Sequence, residues 1–123
     1  MKTSIRIMLL LALILALPLS GSRAALPVPA FGTVTLVDLG AHSCIPCKMM
    51  APILEELGKE YKGRAAVVFI DVWEHPEEAK RFKVSIIPTQ IFFDRSGREI
   101  TRHVGFLDKQ LIVEQLEALI KVK

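Results

Sequence analysis

"TVTLVDLGAHSCIPCKMMAPILEELGKEY", Thr33 to Tyr61, decides the architecture of this chain. Its first nine residues, Thr33 to Ala41, are apolar and β-branched without the polar alternation of a one-sided sheet, so they read as a buried parallel strand. From Pro46 to about Tyr61 the period becomes helical. Met49, Ile53, Leu54 and Leu57 recur at spacings of three and four, with Glu55, Glu56 and Lys59 on the other face. Pro52 predicts a kink in that helix. Two cysteines, Cys44 and Cys47, fall where the strand gives way to the helix.

Downstream, "RAAVVFIDVW" (Arg64 to Trp73) reads as a second buried strand, and a right-handed crossover makes it parallel to the first. "HPEEAKRF" is a short helix with Pro76 at its start and acids in its first turn. "VSIIPTQIFFDRSGREITRHVG" (Val84 to Gly105) reads as strand, tight turn at Asp94 to Gly97, and antiparallel partner strand, with Gly97 supplying the left-handed conformation of the turn. A last helix runs from an N-cap at Asp108 to Lys121, its apolar face made by Leu111, Ile112, Leu116, Leu119 and Ile120. The order β-α-β-α-β-β-α predicts an α/β fold, a mixed four-stranded sheet flanked by helices.

Upstream, the chain opens with Lys2 and Arg6, an uncharged apolar run from Ile7 to Leu17, then Pro18, Gly21 and a small-residue exit at Ser22 to Ala24. That is the layout of a secretory signal peptide, residues 1–24, cleaved after Ala24 or Ala25 to leave a domain at 25–123. The run is shorter than the roughly 20 residues that span a bilayer and is broken by Pro18. A periplasmic or secreted protein is expected, touching a membrane only if the leader stays attached. The chain holds 16 basic and 13 acidic residues, but Lys2, Arg6 and Arg23 belong to the leader, so the domain is close to neutral. Nothing in that balance points to nucleic acid, and the composition suggests a monomer. "LPVPAFG", residues 26–32, reads as an extended lead-in.

Two cysteines are too few for a disulfide-stapled secreted scaffold, and a bridge between Cys44 and Cys47 closes a loop too small to stabilise the fold by much. Reactivity explains the pair better. At a helix N-terminus the unpaired N–H groups and the dipole stabilise a thiolate at Cys44, and Cys47, one turn in, suits resolution of a mixed disulfide. A tetrahedral zinc or copper site could instead combine both cysteines with His42, His75 or His103, although Pro46 favours a preformed turn and there is no second CxxC. His42, two residues before Cys44, reads either as a cation stabilising the thiolate or as a solvated loop histidine. Trp73 reads either as a cover for the site or as surface packing.

"VDLGAHSCIPCKMMAPILEELGKEY", "VSIIPT" and "ITRHVGF" together closely resemble the thioredoxin family, over nearly the whole of residues 25–123. The resemblance implies a thioredoxin-like fold without cofactor. Cys44 would be the nucleophile and Cys47 the resolving cysteine, while Asp38, buried, would accept the Cys47 proton. Lys48 and Pro52 match family positions after the second cysteine. Ile87, Pro88 and Thr89 match its cis-proline segment facing the disulfide. With Gly105 they would bind an extended protein disulfide substrate by strand addition.

Three departures qualify the likeness. Ser43 and Ile45 replace the family's Trp and Gly around the first cysteine, and Gly40 stands where an aromatic is common; with Pro46, Ser43 and Ile45 would tune the redox potential. Only about 19 residues separate the expected cleavage site from Cys44, too few for the family's first strand and helix, so that part of the fold should be truncated and a sheet edge shorter or exposed. An exported member needs electrons from a membrane donor or must work as an oxidant. Asp38, Lys48 and the lack of a histidine between the cysteines favour an exported oxidoreductase that reduces or exchanges protein disulfides. The other reading is a partner-binding or soft-metal (Cu/Zn) module on the same scaffold.

Overall fold

A largely apolar strand needs cover on both faces and ladder partners on both sides, and β1 (Val34–Gly40) has both: every residue of it is buried, Thr35 and Asp38 included. The computed structural model describes residues 27–122. In it β1 pairs in parallel with β2 (Ala65–Asp71) and antiparallel with β3 (Thr89–Phe93), which pairs antiparallel with β4 (Glu99–Val104), giving the sheet order β2-β1-β3-β4. The expected β-α-β-α-β-β-α order holds, with α1 at Ile45–Glu60, α2 at Pro76–Arg81 and α3 at Lys109–Lys121.

Alternation along β1 divides the core. Val34 and Leu36 face Met50, Leu54 and Leu57 of α1 and Ile112 and Leu116 of α3. Val37 and Leu39 face the other way, onto Val72, Phe82, Ile91 and Phe93, where α2 and Val28 of the lead-in supply the cover. Each fully buried leucine contributes roughly 1.5–3 kcal/mol of hydrophobic stabilisation. Asp38 and Gly40, in step with Leu36, therefore lie on the α1 side. Phe69 and Asp71 share that side through the β1–β2 register Asp38↔Phe69 and Gly40↔Asp71.

Four details correct the sequence reading. β2 is not buried on both faces: among the described residues its only ladder partner is β1, and its middle is half-exposed, with Phe69 at 37 %. β3 starts at Thr89 rather than Val84: the Val84 N–H turns back to Ala79 O at 2.8 Å, and Thr89 donates its hydroxyl to Ile86 O. In α1 the core methionine is Met50, its sulfur accepting the Leu107 N–H at 3.4 Å, while Met49 is exposed. In α3 Leu111 is exposed and Val113 packs instead. Two other expectations keep their place with a different detail. Asp108 stands at the N-cap of α3 without a side-chain cap bond, and α1 runs on through Pro52 to Glu60. The hairpin turn is as expected, Gly97 taking a φ of 78° and Asp94 Oδ1 accepting from Ser96 and Arg98. The leader, 1–24, lies outside the described residues. No helix among them is long and apolar enough to cross a membrane.

Candidate active site

β1 delivers the chain to the N-terminus of α1, and Cys44 is the residue at the junction. It is the N-cap of α1, extended at φ −82° and ψ 124°, and its sulfur accepts the Cys47 N–H at 3.4 Å. Pro46 lies in the first helical turn, where its missing N–H costs nothing, and no acidic residue there opposes a thiolate. The two cysteines form a disulfide, with Cα atoms 5.2 Å apart. Exposure separates their roles: Cys44 is half-buried and Cys47 only 3 % exposed. Ser43 and Pro46 are exposed, and Ile45 is 75 % exposed, an apolar side chain standing in solvent beside the disulfide.

Beneath Cys47 the sheet supplies Gly40 and Asp38. A Cβ on Gly40 would stand 3.2 Å from Cys47 Sγ and 3.0 Å from Phe69 Cε2. The ring of Phe69 thus comes in from β2 over the position where the family often carries an aromatic on β1. Asp38, one pleat further along the same face, is completely buried. Gln90 Nε2 donates to its Oδ1 at 2.7 Å, and its Oδ2 has no partner. Burial pushes the Asp38 carboxyl from 3.8 up to about 6, the Gln90 hydrogen bond pulling weakly the other way. A carboxylate so placed can take a proton from a thiol near neutral pH.

Ile87, Pro88, Thr89 and Gly105 come together at the same end of the sheet. The Ile87–Pro88 peptide is cis, and Gly105, at φ 99°, donates its N–H to Pro88 O at 2.8 Å. Thr89 anchors the turn by donating its hydroxyl to Ile86 O at 2.6 Å. Ile86 beyond it is 63 % exposed.

The histidines do not gather round the cysteines. His42 directs its ring Nδ1 to Asp71 Oδ2 at 2.5 Å and its backbone N–H to the same oxygen at 2.8 Å, and its ring meets Phe69 edge-on. His75 pairs with Glu77 at 3.4 Å, and His103 Nε2 lies 3.0 Å from Phe106 O. His42, Asp71 and Glu74 could bring ligand atoms within 4.8 Å of one another, but Asp71 already takes N–H groups from His42, Trp73 and Glu74. Those donors, the His42 N–H first, hold its carboxyl down at about 2. Trp73 is 62 % exposed.

Sequence reasoning missed Asp71, Phe69 and Gln90. An acid ending a strand parallel to β1 was a usable signal for Asp71, as was a lone amide in the apolar run "TQIFF" for Gln90. Phe69 gave none, since its position depends on register.

Similarity to known proteins agrees with the geometry. The thioredoxin family model matches residues 30–118. Thioredoxin of Staphylococcus saprophyticus is 45 % identical over 84 residues, which cover 68 % of this chain and 80 % of that protein, and thioredoxin of Staphylococcus aureus is 44 % identical over the same length and shares. Among solved structures, the germline-specific thioredoxin Deadhead of Drosophila melanogaster superposes with a TM-score of 0.64 at 30 % identity, covering 72 % of this chain and 82 % of that one. With a CxxC disulfide at the head of α1, a buried acid under it and a cis-proline at the same sheet end, the chain belongs to the thioredoxin family and is a thiol–disulfide oxidoreductase.

Proposed function

We propose that this oxidoreductase is exported and that it reduces or exchanges disulfides in client proteins. The observation that carries the reading is the asymmetry of the pair: a half-buried sulfur at a helix N-terminus, a buried partner one turn in, and a buried acid with one free oxygen on the same face. The Cys44 thiolate attacks a client disulfide and forms a mixed disulfide, expelling one client thiolate. Asp38 then takes the proton from Cys47, whose sulfur attacks Cys44. The bond between Cys44 and the client breaks, its electron pair leaves on the second client sulfur, and the Cys44–Cys47 disulfide remains. Ile87, Pro88, Thr89 and Gly105 hold the client backbone in extended form, while Ile45 and Ile86 offer it apolar contact.

The leader at 1–24 supports export, and near-neutrality of residues 25–123 is consistent with a monomer that meets varied clients. Outside the cytosol the oxidised pair is returned to the dithiol by a membrane electron donor. Ser43, Ile45 and Pro46 set the potential from which it works.

The test is trapping. Cys47→Ala should accumulate mixed disulfides through Cys44 and Cys44→Ala should not; a Cys47→Ala protein that captures no more client than the double variant would end the mechanism. Equilibration with glutathione then gives direction, since potentials in this superfamily run from about −270 mV for reductants to about −120 mV for strong oxidants. A value near the upper end would reverse the proposed electron flow. Fractionation with mass analysis of the N-terminus tests export: a full-length chain retained in the cytosol would remove that part of the reading.

A further inference from the structure

Asp38 and Gln90 face each other across β1 and β3 at paired register positions, and both side chains have zero exposure. One hydrogen bond joins them, Nε2 to Oδ1 at 2.7 Å. The remaining oxygen of each, Asp38 Oδ2 and Gln90 Oε1, is buried and without a donor. Two unsatisfied acceptors in one fully buried pair are costly, and the pairing has a single remedy within itself, a proton. The opposite orientation of the amide would bring its oxygen against the carboxylate, so the donor must be the group that meets Oδ1.

We propose that Gln90 is a positioning residue of the redox centre: its amide holds Asp38 by Oδ1, leaves Oδ2 as the oxygen that takes the Cys47 proton, and offers Oε1 to that proton once it has arrived. This rests on the reading of Asp38 as the proton acceptor. Chemically, the S–H bond of Cys47 breaks and an O–H bond forms on Oδ2, with the sulfur keeping the electron pair that then attacks Cys44. The carboxylic acid and the amide, each donating to the other, satisfy both orphan oxygens. Gln90 therefore stabilises both states of Asp38 in turn, the ionised one through Nε2 and the protonated one through Oε1.

Other groups around the pair are accounted for. Across β1 from Gln90, Asp38 is flanked by Phe69 of β2, and Cys47 of α1 lies over Gly40, one pleat along the same face. Lys48 and Glu55 of α1 are exposed, and Asp71 and His42 engage each other at the strand end. His103 of β4 stands opposite Gln90, with Nε2 toward Phe106 O. None of these donates to Asp38.

The decisive measurement follows the Asp38 carboxyl carbon and the Gln90 side-chain amide together by NMR across pH 4 to 9 in the reduced protein. Both should titrate with one midpoint, and the amide response should vanish in Asp38→Asn. An amide that stays flat, or that still titrates in Asp38→Asn, overturns the proposal without any change at Gln90. Gln90→Leu should then move the Asp38 midpoint up, by less than the roughly one to two pH units that a hydrogen bond to a charged group is worth, because the protonated acid loses its partner Oε1 as well. The pH profile of mixed-disulfide resolution should move with it, lowering the rate at pH 7 by less than about tenfold and recovering in alkali. Gln90→Met, of similar length, gives the same shift if Gln90→Leu fails to fold, and a midpoint unmoved in the folded variant overturns the proposal. In Asp38→Asn, adding Gln90→Leu should change the resolution rate no further; an extra loss would place Gln90's action elsewhere. If the midpoint moves and the resolution profile does not, the Gln90–Asp38 coupling stands and the assignment of Asp38 as acceptor falls.

Discussion

Asp38 and Asp71 lie on neighbouring parallel strands, on the same face of the sheet, and both are buried, yet their carboxyls are driven in opposite directions, one up to about 6 and the other down to about 2. Both are shielded from solvent, at 0 and 7 % exposure, but desolvation is the leading influence only on Asp38, and at Asp71 hydrogen bonds outweigh it. Donors separate them. Asp38 has one, the Gln90 amide, because it sits mid-strand where every backbone N–H is committed to a ladder. Asp71 ends β2, where the turn into α2 and the loop before Cys44 leave backbone N–H groups free, and it collects those of His42, Trp73 and Glu74 together with the His42 ring. A carboxylate at a strand end becomes a clamp, and one inside a strand becomes a base.

The largest break in the comparison is Asp38→Asn. A folded value of about 6 against 3.8 means the ionised carboxylate costs the fold energy, so the Asp38 contribution is fully present below about pH 4 and is lost as pH rises through 6. Removing the charge should raise stability at pH 7 by on the order of 3 kcal/mol while slowing the Cys47 step. Urea unfolding at pH 4 and pH 7 checks it. Equal stability of variant and wild type at pH 7 would mean that Asp38 is not desolvated in solution.

Asp71→Asn should act with the opposite sign. An amide turns one arm of the clamp into a donor facing donors, so thermal stability should fall by several degrees at neutral pH. The wild-type contribution exists above about pH 4 and is lost as pH falls through 2, so the variant and wild type should converge in strong acid. A neutral effect at pH 7 would show that the loop holds itself. Gly40, level with Asp71 and one pleat from Asp38, comes next. Gly40→Ala puts a methyl 3.2 Å from Cys47 Sγ and 3.0 Å from Phe69, which should cost about 1–2 kcal/mol and less in a Phe69→Leu background, where the ring can no longer resist. Equal costs in both backgrounds would show that the cysteine, not the ring, is the obstacle.

This contrast also explains what was legible in the sequence. The element order and the parallel β1–β2 pair followed from the largely apolar run of β1 and the crossover through α1, and Cys44 followed from its place at a helix start. Asp38 and the cis-proline were legible only through family likeness, because neither a carboxylate's burial nor a peptide's isomer has a local pattern. The partners of Asp71 were hidden for a different reason. Three of them are backbone N–H groups, which every residue but proline carries, and the fourth, His42, is 29 positions away. Gln90 likewise reads as an interruption in "TQIFF" until the antiparallel register sets it opposite Asp38. β2 was misread because a strand with a single ladder partner and a strand with two look alike when both are rich in valine and isoleucine.

The smallest expected effect falls on the most conspicuous side chain, His42. Its ring is 69 % exposed although it touches Asp71, whereas its backbone N–H, which survives any substitution except proline, makes a second bond to the same oxygen. An exposed ion pair is worth less than about 1 kcal/mol. His42→Ala should therefore leave stability within that margin and leave the Cys44 loop in place, in contrast to Asp71→Asn. His42→Pro, which removes the N–H as well, should approach the loss seen for Asp71→Asn. Amide exchange at Ser43 and Cys44 separates the two, staying slow in His42→Ala and quickening in His42→Pro. If His42→Ala alone frees the loop, the ring rather than the backbone is the clamp, and the strand-end carboxylate holds Cys44 through a side chain.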